Sequence, residues 1–307
     1  MVKAYVSNFL EFGKQRYLYP ARRRFAKIAD AKTIPLQWCR GTNWGDALSP
    51  VLVSLLAEKP SVFRGRQFYE RYLVIGSILE DANQHSSVWG SGFIAENRVV
   101  TCCPKVVHAV RGPLSREMLL RAGLDCPKVF GDPALLFPAF FHPTVPKRYR
   151  VGVIPHYIDK ANPWVELQRA TPGVCVIDIE CGLYEFVNRV LECDVIVSSS
   201  LHGLICADAY GVPNLRMKLS NDIIGGDFKF FDYFLSVGRK IDSPILVRID
   251  TSVDDLLSHA AKVSLDVDLA LLAKACPFIS EKSLDIVMSW CNSKPHGFQT
   301  KCSEIGD

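Results

Sequence analysis

Two Rossmann-like α/β halves facing a cleft are what the sequence predicts. Short apolar, β-branched runs alternate with segments of helical periodicity. The alternation occurs on both sides of Phe137 to Arg150, a stretch broken by Pro138, Pro143 and Pro146 that reads as a linker. A chain of 307 residues is long enough for two ordinary cores, and 49% hydrophobic against 22% charged residues marks a globular protein. The expected divisions are a basic extension at 1–32, a first Rossmann-like domain at 33–142, a second at 143–275, and a C-terminal helix and tail at 276–307.

The N-terminal segment stands apart in charge. Residues 1–32 carry eight Lys or Arg against Glu11 and Asp30, although the whole chain is only +4, too mild to imply a nucleic-acid partner. Aromatics (Tyr5, Phe9, Phe12, Tyr17, Tyr19, Phe25) are interleaved with these cations, and Pro20 divides two expected helices. Two readings stand open for residues 3–30: peripheral contact with an anionic membrane surface, or an extension packed on the domain. The eleven cysteines form no C-x-x-C pair, and no signal peptide is visible, so free thiols in a reducing cytoplasm are expected. Ligand spacing for zinc is missing, so no metal is expected. No apolar run reaches membrane-spanning length without charges or turn residues. The expected location is cytoplasmic, with any peripheral contact on the inner face of the plasma membrane.

In the first half, Ile34 to Cys39 predicts a strand that runs into the loop Arg40-Gly-Thr-Asn-Trp-Gly-Asp46. Ala47 to Lys59 follows as a helix with Leu48, Val51, Leu52, Leu55 and Leu56 inward. Gly41 and Gly45 permit close backbone approach, and Asn43 and Asp46 supply polar groups at the helix start, where Asp46 can equally be an N-cap. Tyr72 to Gly76 is the next strand, and Val88 to Ile94 another, broken by Gly90 and Gly92. Val106 to Val110 ends at Arg111, with Pro113 opening a helix that Gly123 stops. A guanidinium beside a helix N-terminus suits a carboxylate or phosphate. Val129 to Leu135 places Asp132 at a tight turn, as a helix cap or a hydroxyl acceptor.

In the second half, Tyr149 to Ile154 predicts a strand opening into Pro155-His156-Tyr157, so His156 joins the cleft candidates. Asn162-Pro163 starts a helix, Val174 to Ile177 is a strand, and Leu183 to Leu191 is a helix. Val195 to Val197 reads as a buried strand, after which Leu201, Leu204, Ile205 and Ala209 recur at helical spacing up to Gly211. The chain therefore turns from strand to helix at Ser198–Ser200, and His202 falls in the first helical turn. Strand ends bind ligands in open α/β sheets and helix N-termini offer N–H groups to anions, so a histidine there can hand a proton to a bound acid. A single helical histidine is otherwise an ordinary surface or core residue. Residues 253–262, 266–275 and 277–292 close the chain as helices.

Six motifs in order resemble the polysaccharide pyruvyl transferases: Asn43-Trp-Gly-Asp46, Trp89-Gly-Ser-Gly92, Val110-Arg-Gly-Pro-Leu-Ser-Arg116, Gly131-Asp-Pro-Ala134, Ser200-Leu-His-Gly203 and Tyr210-Gly-Val-Pro213. The resemblance covers roughly residues 35 to 240. It implies a GT-B-like fold, phosphoenolpyruvate as co-substrate with no further cofactor, and a ketal bridging two hydroxyls of a hexose, with phosphate released. The hexose would belong to a bacterial exopolysaccharide repeat unit, carried on a lipid-linked oligosaccharide. Within that resemblance His202 is the general acid, and Arg111, Ser200 and Leu201 bind the donor. Asn43, Asp46, Asp132 and His156 remain on the acceptor or cleft side. Several relatives carry arginine where this chain has Ser200, so another cation must balance the donor: Arg216, Lys218, Lys229 or Arg116, with Lys229 preferred. A helix N-terminus disfavours imidazolium while bound phosphate favours it, so the histidine is expected to charge when the donor binds. The alternatives are a GT-B nucleotide-sugar glycosyltransferase and a non-catalytic sugar-binding assembly subunit.

Overall fold

The computed structural model describes residues 32–65, 69–241, 243–260 and 265–293. The basic segment with its two expected helices, up to residue 31, lies outside them, as does the tail beyond 293. Among the described residues ten strands form two five-stranded sheets. The first holds β1 (Ile34–Gln37), β2 (Ser61–Phe63), β3 (Arg71–Leu73), β4 (Ser86–Trp89) and β5 (Val106–Ala109) in the order β2-β1-β3-β4-β5. The second holds β6 (Tyr149–Ile154), β7 (Val174–Val176), β8 (Cys193–Ser198), β9 (Asn214–Lys218) and β10 (Ile245–Leu246) in the order β10-β9-β8-β6-β7. Every pairing between these strands is parallel. Numbered within its own half, each sheet has the order 2-1-3-4-5, so the second half repeats the topology of the first. In that order the first and third strands are neighbours whose connections leave in opposite directions, which opens a crevice at their carboxyl ends.

Parallel strands are covered on both faces, and the side chains alternate accordingly. Val151, Val153 and Val197 point into a cluster with Trp164, Val253 and Leu256. Ile154 and Ile196 point the other way. Leu73 and Val88 face a cluster with Val110, Leu119 and Phe93, while Leu36, Trp89 and Ala109 face the opposite side. That opposite side is shared. One continuous apolar cluster takes in β1, helix α1 (Trp44–Ala57), the 3-10 helix Pro133–Ala139, helix α4 (Leu183–Leu191) and helix α5 (Leu201–Ala209), so the halves are packed through a common core. Trp44 is its rivet: its ring packs on Phe137 and Phe186, its backbone N–H donates to Ile179 O at 2.9 Å, and Nε1 donates to Leu183 O at 3.2 Å.

Several elements differ from the sequence expectation. Helix α1 begins at Trp44 rather than Ala47, because Asn43 is the N-cap and its Oδ1 accepts from Gly45 N and Asp46 N. The run from Val88 stops as strand at Trp89. β2 is a three-residue edge strand, too short for periodicity to reveal. The expected linker begins late: Pro133–Ala139 is a buried 3-10 helix, and Phe137 is fully buried. The helices α2 (Pro113–Arg121), α3 (Pro163–Gln168), α6 (Phe228–Ser236), α7 (Val253–His259), α8 (Leu269–Lys274) and α9 (Glu281–Ser293) complete the chain. The last two return to the first half. Trp89 Nε1 donates to Leu272 O at 2.9 Å, and Ser283 Oγ donates to Leu55 O at 2.9 Å. None of the described helices is long and apolar enough to cross a membrane.

Candidate functional site

Both crevices open on one cavity of about 180 Å³. From the carboxyl ends of β1 and β3 come Cys39, Asn43, Asp46, Gly76, Ser77 and Ile78, joined by Ile94. From the ends of β6 and β8 come His156, Tyr157, Ser200, Leu201 and His202, with Ile224 and Lys229 beyond them. The site thus sits where the topology of both sheets predicts a ligand. Its size is below the ~300–1,000 Å³ of pockets for drug-sized ligands, a scale that fits a small molecule.

His202 is held from several directions. Residue α5 Gly203 presses against Ser198 and Ile154, seating the helix on its strand. At the helix's far end Asp208 accepts from Tyr233 Oη at 2.8 Å, from Arg239 Nη1 at 2.9 Å and from Asn214 Nδ2 at 2.7 Å, tying α5 to α6 and β9. The imidazole itself lies on Gly45 of α1, where a Cβ would overlap Cγ, Nδ1 and Cε1 of the ring. Gly45 therefore makes room for the protein's own histidine. Nε2 is buried and faces the equally unpartnered Oδ2 of Asp132 at 4.0 Å. Burial, reinforced by the charges of Arg111, Lys229 and His156, pushes the His202 pKa down to about 3, so the free protein holds it neutral.

The neighbouring groups are also displaced from their ordinary values. Burial raises Asp46 to about 6 against the opposing hydrogen bonds from Cys39 and Asn43. Burial raises Asp132 to about 6 as well. His156 is lowered to about 4 by burial and by Lys229, and its Nδ1 accepts from Ile158 N at 3.4 Å. Its backbone N–H donates to Ser199 Oγ at 2.8 Å, which joins the two loops of the second half. Burial and the charges of Arg111 and Arg216 lower Lys229 to about 8. Among the described residues Lys229 makes no hydrogen bond or ion pair, so its ammonium is free for a ligand. The N-cap of helix α5, Ser200, makes no side-chain cap bond, and its own N–H donates to Ser198 Oγ at 3.0 Å. The first-turn amides of the helix therefore have no capping side chain, and Ser200, Leu201 and His202 line the same cavity.

The remaining sequence-predicted residues fall elsewhere. Arg111 is buried behind the cavity wall rather than lining it. Its Nε donates to Asp232 Oδ2 at 3.1 Å, Nη1 to Ser77 Oγ at 2.7 Å and Nη2 to Phe93 O at 2.6 Å. It reaches the cavity through Ser77 and through its field. Gly92 is required here, since a Cβ would stand 2.6 Å from Arg111 Cζ. Asp232, paired with Arg111 and also accepting from Ser115 Oγ at 2.6 Å, has no sequence signal, because its partners are more than a hundred positions away. Asp132 also stands behind the wall: it caps the 3-10 helix, with Oδ1 accepting from Ala134 N at 3.0 Å. Arg216 lines a separate small cavity with Lys218 and Ser199, pairs with Asp227, and stacks on Phe230 at 3.8 Å. Arg116 donates to Cys126 O at 2.9 Å. Of the four cations considered for the position opposite Ser200, Lys229 is the one in the cavity. Ser77, Tyr157, Cys39 and Ile224 line it without having been singled out from the sequence.

Comparison with known proteins agrees with the motifs. Residues 65–221 match the family model described as polysaccharide pyruvyl transferase. The chain is 28% identical over 224 residues to an uncharacterized protein of Acanthamoeba polyphaga mimivirus, covering 69% of this chain and 76% of that protein. It is 28% identical over 214 residues to the succinoglycan biosynthesis protein ExoV of Rhizobium meliloti (strain 1021), covering 66% of this chain and 65% of that protein. With the family model spanning half of the sequence, and with the motifs at Asn43–Asp46 and Ser200–Gly203 contributing to one cavity, the chain belongs to the polysaccharide pyruvyl transferase family.

Proposed function

We propose that this chain moves pyruvate from phosphoenolpyruvate onto two hydroxyls of a hexose in an exopolysaccharide repeat unit, forming a ketal and releasing phosphate. The observation that carries the reading is one small cavity lined by a neutral buried imidazole, an ammonium with no ion pair among the described residues, and the start of α5, whose N-cap makes no side-chain cap bond. The donor's phosphate and carboxylate lie against Lys229 and the start of α5, at the Ser200 side chain and the Leu201 amide, in the positive field of Arg111 and Arg216. The two halves then act as Rossmann-like lobes of a GT-B-like enzyme, with donor and acceptor between them.

An enol phosphate becomes electrophilic at its ester carbon only when the methylene carbon takes a proton, and His202 supplies it. In the free protein that histidine is too weak a base to be charged at neutral pH. A donor charge about 5 Å away, at an effective dielectric of about 20, contributes roughly 3 kcal/mol, equivalent to about two pKa units. Two such charges lift His202 from about 3 into the neutral range, so the acid is armed by the substrate it protonates. One sugar hydroxyl attacks, phosphate departs, and the second hydroxyl closes the ketal. Asn43, Asp46 and His156 line the acceptor side, where the Asp46 carboxylate accepts a hydrogen bond from a sugar hydroxyl. A lipid-linked oligosaccharide on the cytoplasmic side of the membrane is the acceptor this account favours.

Incubation with phosphoenolpyruvate and a panel of hexose-containing acceptors, read by mass spectrometry, tests it. The expected product gains one pyruvate less one water. Thermal stabilisation by UDP- or GDP-sugars but not by phosphoenolpyruvate points instead to a glycosyltransferase. Donor binding without acceptor-dependent phosphate release points to an assembly subunit.

A further inference from the structure

Asp132 and His202 each bury one polar atom with no partner among the described residues, and those two atoms face each other: Oδ2 and Nε2, 4.0 Å apart. A buried polar atom without a partner destabilises the fold, and a movement of about 1 Å satisfies both. The rest of each group is fixed so that this movement is the one available. Asp132 Oδ1 is committed to Ala134 N, and the imidazole rests on Gly45. With Nε2 buried and facing Asp132, Nδ1 is the ring nitrogen left for a ligand in the cavity that His202 lines.

Resting on the phosphoenolpyruvate reading, we infer that Asp132 is the positioning residue for His202: it pairs with Nε2, so that Nδ1 is the nitrogen that delivers the proton. When donor is bound, the imidazolium carries N–H on both nitrogens, Nε2–H directed to the Asp132 carboxylate and Nδ1–H to the donor's methylene carbon. Transfer forms the C–H bond, leaves neutral imidazole with its hydrogen on Nε2, and makes the ester carbon electrophilic. Nδ1 is recharged by a proton from an attacking sugar hydroxyl, and the other hydroxyl proton leaves with phosphate. The charges facing the pair fit this division. Arg111, Lys229 and His156 oppose a charged His202 in the empty site, and Asp132 is the nearest carboxylate to offset them. That carboxylate itself sits near 6, so it is ionised at neutral pH.

Two measurements test the assignment. Asp132→Asn keeps the carbonyl that caps Ala134 but turns an amide toward Nε2. It is expected to lower kcat by roughly 10³–10⁴-fold, as loss of the carboxylate does in other Asp–His pairs, with phosphoenolpyruvate affinity and melting temperature close to wild type. Nitrogen-15 NMR of histidine-labelled wild-type protein at about pH 8, above the Asp132 value of about 6, is expected to show His202 protonated on Nε2. With phosphoenolpyruvate at about pH 6.5, still above the Asp132 value, it is expected to show both nitrogens protonated in wild type but not in Asp132→Asn. Near-wild-type kcat in Asp132→Asn, or a free-state hydrogen on Nδ1, overturns the role of Asp132 while transfer itself stands. No phosphoenolpyruvate-dependent product from wild type overturns the underlying reading instead.

Discussion

Gly45→Ala isolates the contact on which the geometry of His202 depends. In an ordinary helix this exchange adds stability, about 0.5–1 kcal/mol from the lower conformational freedom of alanine. Here the new methyl overlaps the imidazole, and ordinary contact begins at 3.4–4 Å, so the ring must retreat by roughly 1 Å. It has little freedom to follow, since it is carried on the first turn of α5, which Gly203 seats against Ser198 and Ile154. Overpacking of this kind costs ~1–3 kcal/mol, enough to reverse the helix gain. A displacement of about 1 Å at a reacting group costs on the order of 10²-fold in rate. The expected result is a folded protein, slightly less stable, with kcat down about 10²-fold. A double-mutant cycle makes the cause specific. In a His202→Ala background the methyl has space, and Gly45→Ala should stabilise by about 0.5–1 kcal/mol, giving a coupling of ~1–3 kcal/mol in denaturant melts. Wild-type kcat in Gly45→Ala, or the same stability change in both backgrounds, refutes the reasoning.

Other consequences follow from the same geometry. Arg111→Met leaves the Asp232 carboxylate buried without its cation, and unfolding should become easier by ~3–5 kcal/mol in urea titrations. Lys229 loses its charge above about pH 8, so calorimetric affinity for phosphoenolpyruvate should fall above that pH, and Lys229→Arg should extend binding to more alkaline solution. His202 is neutral when folded but takes a proton near 6.5 when unfolded, so its contribution to stability is present above about 6.5 and is lost progressively as pH falls toward 3. Removing it in His202→Gln should reduce the acid destabilisation between about pH 7 and 5 by about 2 kcal/mol, measured by chemical denaturation at each pH.

The parts of the fold legible in the sequence are those with local causes. The Val195–Val197 run, the Leu201–Leu204–Ile205 spacing and the Leu183–Leu191 helix needed no tertiary information, and the strand-to-helix turn placed His202 at a carboxyl end. Asn162 before Pro163 marked a helix start that the structure keeps as its N-cap. What was hidden depends on partners distant in the chain. Arg111 reads as an anion receptor at a strand end, but Asp232, delivered by α6, takes its guanidinium. Gly45 reads as a place of close approach to the backbone, and what approaches is a side chain from the other half. The Asp132 turn offered a cap or a hydroxyl acceptor. The cap is present, and the free oxygen faces an imidazole that arrives from α5. The register shared by both sheets could not be read from strand runs of three or four residues, although the alternation that produces it could.

His202 as the proton source is the step on which transfer depends. Acceptor-dependent phosphate release by His202→Gln, measured beside phosphoenolpyruvate binding by the same variant, addresses it most directly. The predicted result is binding retained within a few-fold and release slowed by at least ~10²-fold, the scale of a lost general acid. Release at the wild-type rate, with binding intact, contradicts it.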